Sequence, residues 1–112
     1  MTSRRTFEAL RRTKRRGRSG PVTVRYVEHV DGGSEVLVSY AVGRVVGGAV
    51  ERNRVRRRLR AVLTQGDLVL RPGCYLVGAS PEARTAPFEA LRGSLRRAVE
   101  RAVGPDANGS AR

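Results

Sequence analysis

Residues 50–63 read VERNRVRRRLRAVL. Six arginines, Arg52, Arg54, Arg56, Arg57, Arg58 and Arg60, fall within nine positions. At the helical repeat of about 100° per residue, Val55, Leu59, Val62 and Leu63 gather on one side. Asn53, Arg56, Arg57 and Arg60, at i, i+3, i+4 and i+7, gather on the other. The spacing predicts an amphipathic helix over roughly 49–64 with an apolar seam and a wide cationic back. Solvated helix faces usually mix signs so that pairs at i, i+4 support one another. Here Glu51 is the only acid, and Arg56 and Arg60 repel at that spacing. The arrangement costs stability unless an external anion relieves it. Asn53 brings a neutral donor and acceptor, suited to a sugar, a base edge or a hydrated metal ion.

The rest of the composition agrees. The chain has 112 residues, enough for one domain with a single modest core. Its formal net charge is +13, which points to a polyanionic partner: nucleic acid first, an anionic membrane surface second. Of 23 basic residues only Lys14 is lysine. Arginine's planar fork binds phosphate bidentately and stacks on bases, which favours nucleic acid. One cysteine, Cys74, and one histidine, His29, exclude a closed Cys/His zinc site and an internal disulfide. No apolar run approaches the roughly 18 residues of a membrane span. The basic N-terminus lacks the apolar segment of a signal peptide, so a cytoplasmic location is expected.

Working outward, residues 3–12 read as a helix with Phe7 and Leu10 on one face. Residues 12–21 read as a basic loop. Residues 22–30 alternate Val22, Val24, Tyr26 against Thr23, Arg25, Val27, the period of a strand. After the turn composition of 31–35, residues 36–43 predict a second strand, paired with the first as an antiparallel hairpin. Gly47 and Gly48 suit a tight strand-to-helix turn, and Gly66 and Asp67 end the arginine helix. CYLVGA, 74–79, is nearly all apolar and predicts a strand buried on both faces or central in its sheet. Residues 85–103 predict a last helix with Phe88, Leu91, Leu95, Ala98 and Ala102 as its stripe, Thr85 as a cap and Pro87 in its first turn. Gly104-Pro105 stops it, and 104–112 read as a flexible tail after a single nucleic-acid-binding domain over 1–103. The order helix, strand, strand, helix, strand, helix predicts an α+β fold, helices packed on one face of a small mixed sheet.

Catalytic chemistry finds little footing. The ten carboxylates are scattered, whereas a two-metal nuclease clusters them. His29, beside a turn, reads as a surface or packed histidine rather than a general base, and Cys74 as a buried structural thiol. The glycines before the arginine helix lack phosphate-loop spacing. Of the five aromatics, Phe88 reads as core, and Tyr40 and Tyr75 as core or surface. Core is also the commoner fate for Phe7 and Tyr26. If the first helix packs at the sheet edge, those two instead wall a groove for unpaired bases.

The stretch GGAVERNRVRRRLRAVL, 47–63, resembles the signature of the protein subunit of bacterial ribonuclease P. The family pattern is a glycine, Asn-Ala-Val, a variable residue, Arg-Asn-Arg, an aliphatic residue and a basic run. Here these are Gly47, Gly48-Ala49-Val50, Glu51, Arg52-Asn53-Arg54, Val55 and Arg56 to Arg60. The flanking elements agree over roughly residues 5–103. Five positions depart: Gly43-Arg44-Val45 replaces Ser-Lys-Lys, Gly48 replaces the asparagine, and Arg11 stands where a second phenylalanine is usual.

The resemblance implies an α/β sandwich with a left-handed β-α-β crossover, a topology like that of domain 2 of ribosomal protein S5. Right-handed crossovers are the strong default. It implies a subunit that binds the catalytic ribonuclease P RNA, one to one, and the 5′ leader of precursor tRNA, so that the leader is cut away. The RNA carries the chemistry, with Mg²⁺ held mainly by that RNA and no catalytic residue on this chain. Arg44, Arg52, Asn53, Arg54, Arg56, Arg57, Arg58 and Arg60 are the expected RNA-binding residues. Phe7, Arg11, Val24 and Tyr26 are the expected leader-binding residues. The rival readings are a basic ribosomal-type structural RNA-binding protein and a nuclease with its own active site.

Overall fold

A computed structural model describes residues 4–29, 33–65 and 68–104. The first two residues of the expected turn at 31–35, the helix end at Gly66-Asp67 and the tail from Pro105 onward lie outside them. The elements are α1 (Arg4–Arg12), β1 (Arg16–Ser19), β2 (Val22–Val27), β3 (Val36–Ala41), α2 (Ala49–Gln65), β4 (Gly73–Ala79) and α3 (Phe88–Val103), with short 3-10 turns at Arg44–Val46 and Pro81–Arg84. The four strands form one mixed sheet in the order β1-β2-β4-β3. β4 is antiparallel to β2 and parallel to β3. The α+β class is as expected.

The predicted hairpin between β2 and β3 does not form. β4 lies between them, because its apolar run, buried along nearly its whole length, gains most at the centre of the sheet. The hairpin partner of β2 is β1, inside the stretch read as a loop. β1 carries no apolar alternation, since Ser19 is its only buried residue and it forms an edge. Gly20, at φ +54°, and Pro21 close the turn, with glycine first as the hairpin turns of the sheet's own twist require. Gly17 lets α3 approach: a Cβ there would stand 2.3 Å from the Ala98 carbonyl oxygen.

The sheet separates two cores. Val22, Val24 and Tyr26 of β2 and Tyr75 and Val77 of β4 pack with Val55, Leu59 and Val62 of α2 and Leu91, Leu95, Ala98 and Ala102 of α3. The expected stripes of both helices are thus buried. Fully buried Leu59 is worth about 2–5 kcal/mol against truncation to alanine. On the other face Leu10 of α1 packs with Cys74 and Leu76. The helices therefore do not share one face: α2 and α3 cover one side, and α1 only part of the other.

Two terminus details also differ. Thr85 does not cap α3; the residue before the helix is Pro87, with no side-chain cap. α2 starts with a return bond instead, Glu51 Oε1 accepting the Gly48 N–H at 3.1 Å. That is half of a capping box, and it places the one acid of the segment where the helix dipole favours it. Gly47, at φ +147°, makes the turn into α2.

Candidate nucleic-acid interface

The outer face of α2 is the first surface. With Val55, Leu59 and Val62 turned inward, the remaining spacing leaves Asn53, Arg56, Arg57 and Arg60 around a shallow concavity of about 280 Å³. Arg56 Nη1 donates to Asn53 Oδ1 at 2.7 Å. A guanidinium has only donors, so the asparagine oxygen must face it, and its NH₂ group is left to donate elsewhere. Arg60 lies over the Tyr40 ring, 5.6 Å from its centroid, which fixes that arginine against β3. Burial raises the Tyr40 hydroxyl pKa, with Arg60 opposing. Among the described residues no arginine of α2 is in an ion pair. Arg54 and Arg57 are exposed, as is Arg44 in the turn before the helix. Arg52 is half-buried and its Nε donates to the Gly48 carbonyl at 3.4 Å.

Arg58 departs from the expected set. It is half-buried, Nη1 donating to the Ala83 carbonyl at 2.7 Å and Nη2 to the Ala86 carbonyl. Its guanidinium holds the segment after β4 against α2. Arg58 is three residues from Val55 and four from Val62, so it borders the buried stripe.

The second surface lies across the sheet. Phe7 and Arg11 of α1 overhang a groove of about 430 Å³ whose floor and far wall come from Thr23, Arg25, Ala41, Leu76, Gly78 and Ala79. Phe7 is 40% exposed, unusual for a phenylalanine on a packed helix. Arg25 Nη1 donates to the Arg11 carbonyl at 2.8 Å, a cation at the C-terminal end of α1 where the helix dipole favours it. Gly78 keeps the floor low, since a Cβ there would stand 2.7 Å from Thr23 Oγ1.

Val24 and Tyr26, expected beside Phe7, do not share this face. Both side chains are 0% exposed in the core against α2 and α3. The Tyr26 hydroxyl donates to the Pro72 carbonyl at 2.6 Å, and its ring meets Tyr75 at 4.9 Å. Strand alternation puts Thr23 and Arg25 on the groove side instead. The alternation of β2 was readable, but which of its faces receives α1 was not. Thr23, Arg25, Leu76 and Gly78 were therefore missed, and the odd-numbered side of β2 was the only sequence signal for two of them.

The remaining reactive groups behave as packing. Burial raises the Cys74 thiol pKa, away from reactivity. His29 Nε2 bonds the Glu35 carbonyl at 2.6 Å. Among the described residues no three His, Cys, Asp or Glu side chains come together as a metal cage. Nor is any of their helices long and apolar enough to cross a membrane.

The family model for Ribonuclease P matches residues 1–103. The Ribonuclease P protein component of Thermus thermophilus is 40% identical over 97 residues, covering 87% of this chain. The match spans 55% of that relative, so the chain corresponds to little more than half the length of the curated relatives it matches. Two solved structures share the fold at low identity. The Staphylococcus aureus RNase P protein has a TM-score of 0.68 at 17% identity, covering 88% of this chain and 89% of the other. The Thermotoga maritima RNase P protein has a TM-score of 0.67 at 18% identity, covering 85% and 89%. The extent of the family match, together with the identity to the curated relatives, establishes that the chain belongs to the ribonuclease P protein family.

Proposed function

We propose that the chain is the protein subunit of ribonuclease P, the endoribonuclease that removes the 5′ leader from precursor tRNA, and that it acts in the cytoplasm. In this reading the outer face of α2, with Arg52, Asn53, Arg54, Arg56, Arg57, Arg60 and Arg44, docks on the catalytic RNA in a one-to-one complex. The groove beneath α1 holds the single-stranded leader. Phe7 stacks on a base, while Arg11 and Arg25 meet phosphates or base planes. The chain binds and orients, and the RNA does the chemistry. In this reading Mg²⁺ is held mainly by the RNA subunit of the complex.

The observation that carries this reading is the pairing of two surfaces on opposite sides of one sheet: a cationic helix face without internal counter-charge, and a groove with an exposed phenylalanine between arginines. A ribosomal-type structural protein would account for the first surface and leave the second without a use. The test is reconstitution. The chain, freed of RNA, is combined with ribonuclease P RNA and precursor tRNA. The expected result is tighter precursor binding and faster leader removal by the complex, with no cleavage by protein alone. Failure to bind that RNA, with capture of ribosomal RNA from cells instead, would favour the rival. Stoichiometric cleavage by RNA-free protein, lost on carboxylate substitution, would put the chemistry on the chain.

A further inference from the structure

The groove does not stop at β2. Antiparallel register sets Arg18 opposite Thr23 and Arg16 opposite Arg25. On β1, Gly17 faces α3 and the Ser19 hydroxyl accepts a bond from Arg97 of α3. Arg16 and Arg18 therefore point to the other side of the sheet, the side of Phe7 and the groove. Two rows cross the sheet there: Arg18, Thr23, Gly78 and Ala41, and Arg16, Arg25, Leu76 and Ser39. A second basin of about 420 Å³ lies over β1 and β2, with Arg16, Arg18, Thr23 and Arg25 in its lining. Thr23 and Arg25 line both basins, so the two adjoin on the same face of the sheet.

The charges at this end are not balanced from within. Arg16 and Arg25 stand directly across the strands, where side-chain origins are about 4.5–5.5 Å apart and like charges destabilise. Arg25 leans away to the Arg11 carbonyl. Arg16 and Arg18 are exposed, and among the described residues neither is in an ion pair. Glu82 feels Arg18, but its carboxylate is bonded to the Ser80 hydroxyl at 2.6 Å, and Arg18 is the last of the causes lowering its pKa. A polyanion across the rows would relieve this repulsion.

We infer that Arg16 and Arg18 form a phosphate-binding extension of the groove, taking the part of a single-stranded RNA that passes beyond Phe7 and leaves the sheet over the β1 edge. The small row Thr23, Gly78 and Ala41 is the track. These three residues lie on neighbouring strands at about 4.8 Å spacing, so the track runs across the β-strands for about 10 Å, and for about 14 Å with Arg18 of β1. The inference rests on the reading of the groove as the leader site, and it makes leader length the variable that Arg16 and Arg18 sense.

The test uses the complex of this chain with ribonuclease P RNA and precursor tRNAs carrying leaders of increasing length, with mature tRNA as the reference. Arg16→Ala/Arg18→Ala should bind mature and short-leader tRNA as the unaltered complex does, and lose affinity only above a threshold length. With long leaders the slope of log K against log salt should flatten by about 1.4, two single-strand phosphate contacts. Arg16→Lys/Arg18→Lys should restore that slope, and the melting temperature should hold in both variants because the two side chains are exposed. An equal loss at every length, or no loss at any, overturns the extension. If affinity in the unaltered complex does not depend on the leader at all, the groove reading itself has failed, a result distinct from failure of the extension alone.

Discussion

Asn53 aims Arg56: its side-chain oxygen accepts the Arg56 Nη1 proton at 2.7 Å, one helical turn apart on the outer face of α2. That contact explains why an asparagine sits among arginines. An aspartate there would hold the same guanidinium but neutralise it. Alanine would leave it charged but free to wander. Asparagine restricts the arginine while keeping the whole positive charge for a ligand, and it retains an NH₂ group of its own to donate.

Asn53→Asp should therefore weaken binding to ribonuclease P RNA more than Asn53→Ala. Position 53 is exposed, so neither change should shift thermal stability by more than about 0.5 kcal/mol. Titration of labelled RNA with each variant checks the order. An Asn53→Ala affinity equal to that of the unaltered chain would show that Arg56 needs no aiming, and an Asn53→Asp affinity no weaker than that of Asn53→Ala would show that its charge is not what the RNA reads.

Arg57 and Arg58 are neighbours with opposite fates. Arg57→Ala should lower RNA affinity and flatten the salt dependence by about 0.7–0.9 per lost phosphate contact, with stability intact. Arg58→Ala leaves the Ala83 and Ala86 carbonyls without their charged donor and should cost about 1.5–3 kcal/mol in urea unfolding. The segment after β4 should loosen with it. Unfolding and salt titration of the pair separate the roles. A stable Arg58→Ala variant with a flattened salt slope would return Arg58 to the RNA-binding set.

Tyr75 ties stability to alkaline pH. Burial, and Tyr26 beside it, raise its hydroxyl pKa well above the ordinary 10.0, while Arg71 opposes. Burial likewise raises Tyr26. For acids whose folded pKa is raised, both states stay protonated below the unfolded value, so stability there is independent of these groups. Above 10.0 the unfolded chain releases protons first, and stability falls as pH rises towards the folded values. Urea unfolding through that window should show the decline. Tyr75→Phe should make it shallower, at a cost of about 1 kcal/mol near neutrality for the lost bond to the Arg71 carbonyl.

Local periodicity was enough to read α2, α3 and the central place of β4, because each buries a stripe or run that repeats within a few residues. Pairing is a nonlocal choice. Nothing near Val36 states that it will lie beside Gly73, reached only after α2, rather than beside β2. β1 was unreadable because α3 packs against a glycine, Gly17, which leaves no apolar mark. The packing of Arg58 was not legible because a margin position can snorkel either way, and the carbonyls it bonds lie 25 and 28 residues on. The groove was half legible: Phe7 and Arg11 are one turn apart on α1, but their partners on the sheet depended on which face of β2 the helix would cover.

That last point can be tested directly, since Phe7 and Tyr26 were candidates for the same task and the fold separates them. Phe7 is exposed over the groove and Tyr26 is sealed on the opposite face. Stacking on an unpaired base is worth about 1–3 kcal/mol by alanine substitution. Phe7→Ala should lose that much precursor tRNA affinity in the complex with ribonuclease P RNA, leave mature tRNA binding unchanged and hold its melting temperature. Tyr26→Phe keeps the ring and removes only the hydroxyl that bonds the Pro72 carbonyl. It should cost about 0.5–1.5 kcal/mol of stability and nothing in precursor selectivity. Arg25→Ala, on the groove side of the same strand, should behave like Phe7→Ala but with a salt-dependent loss. If Tyr26→Phe impaired the precursor alone, the leader would have to be reading the buried side of β2, and the groove would be the wrong site.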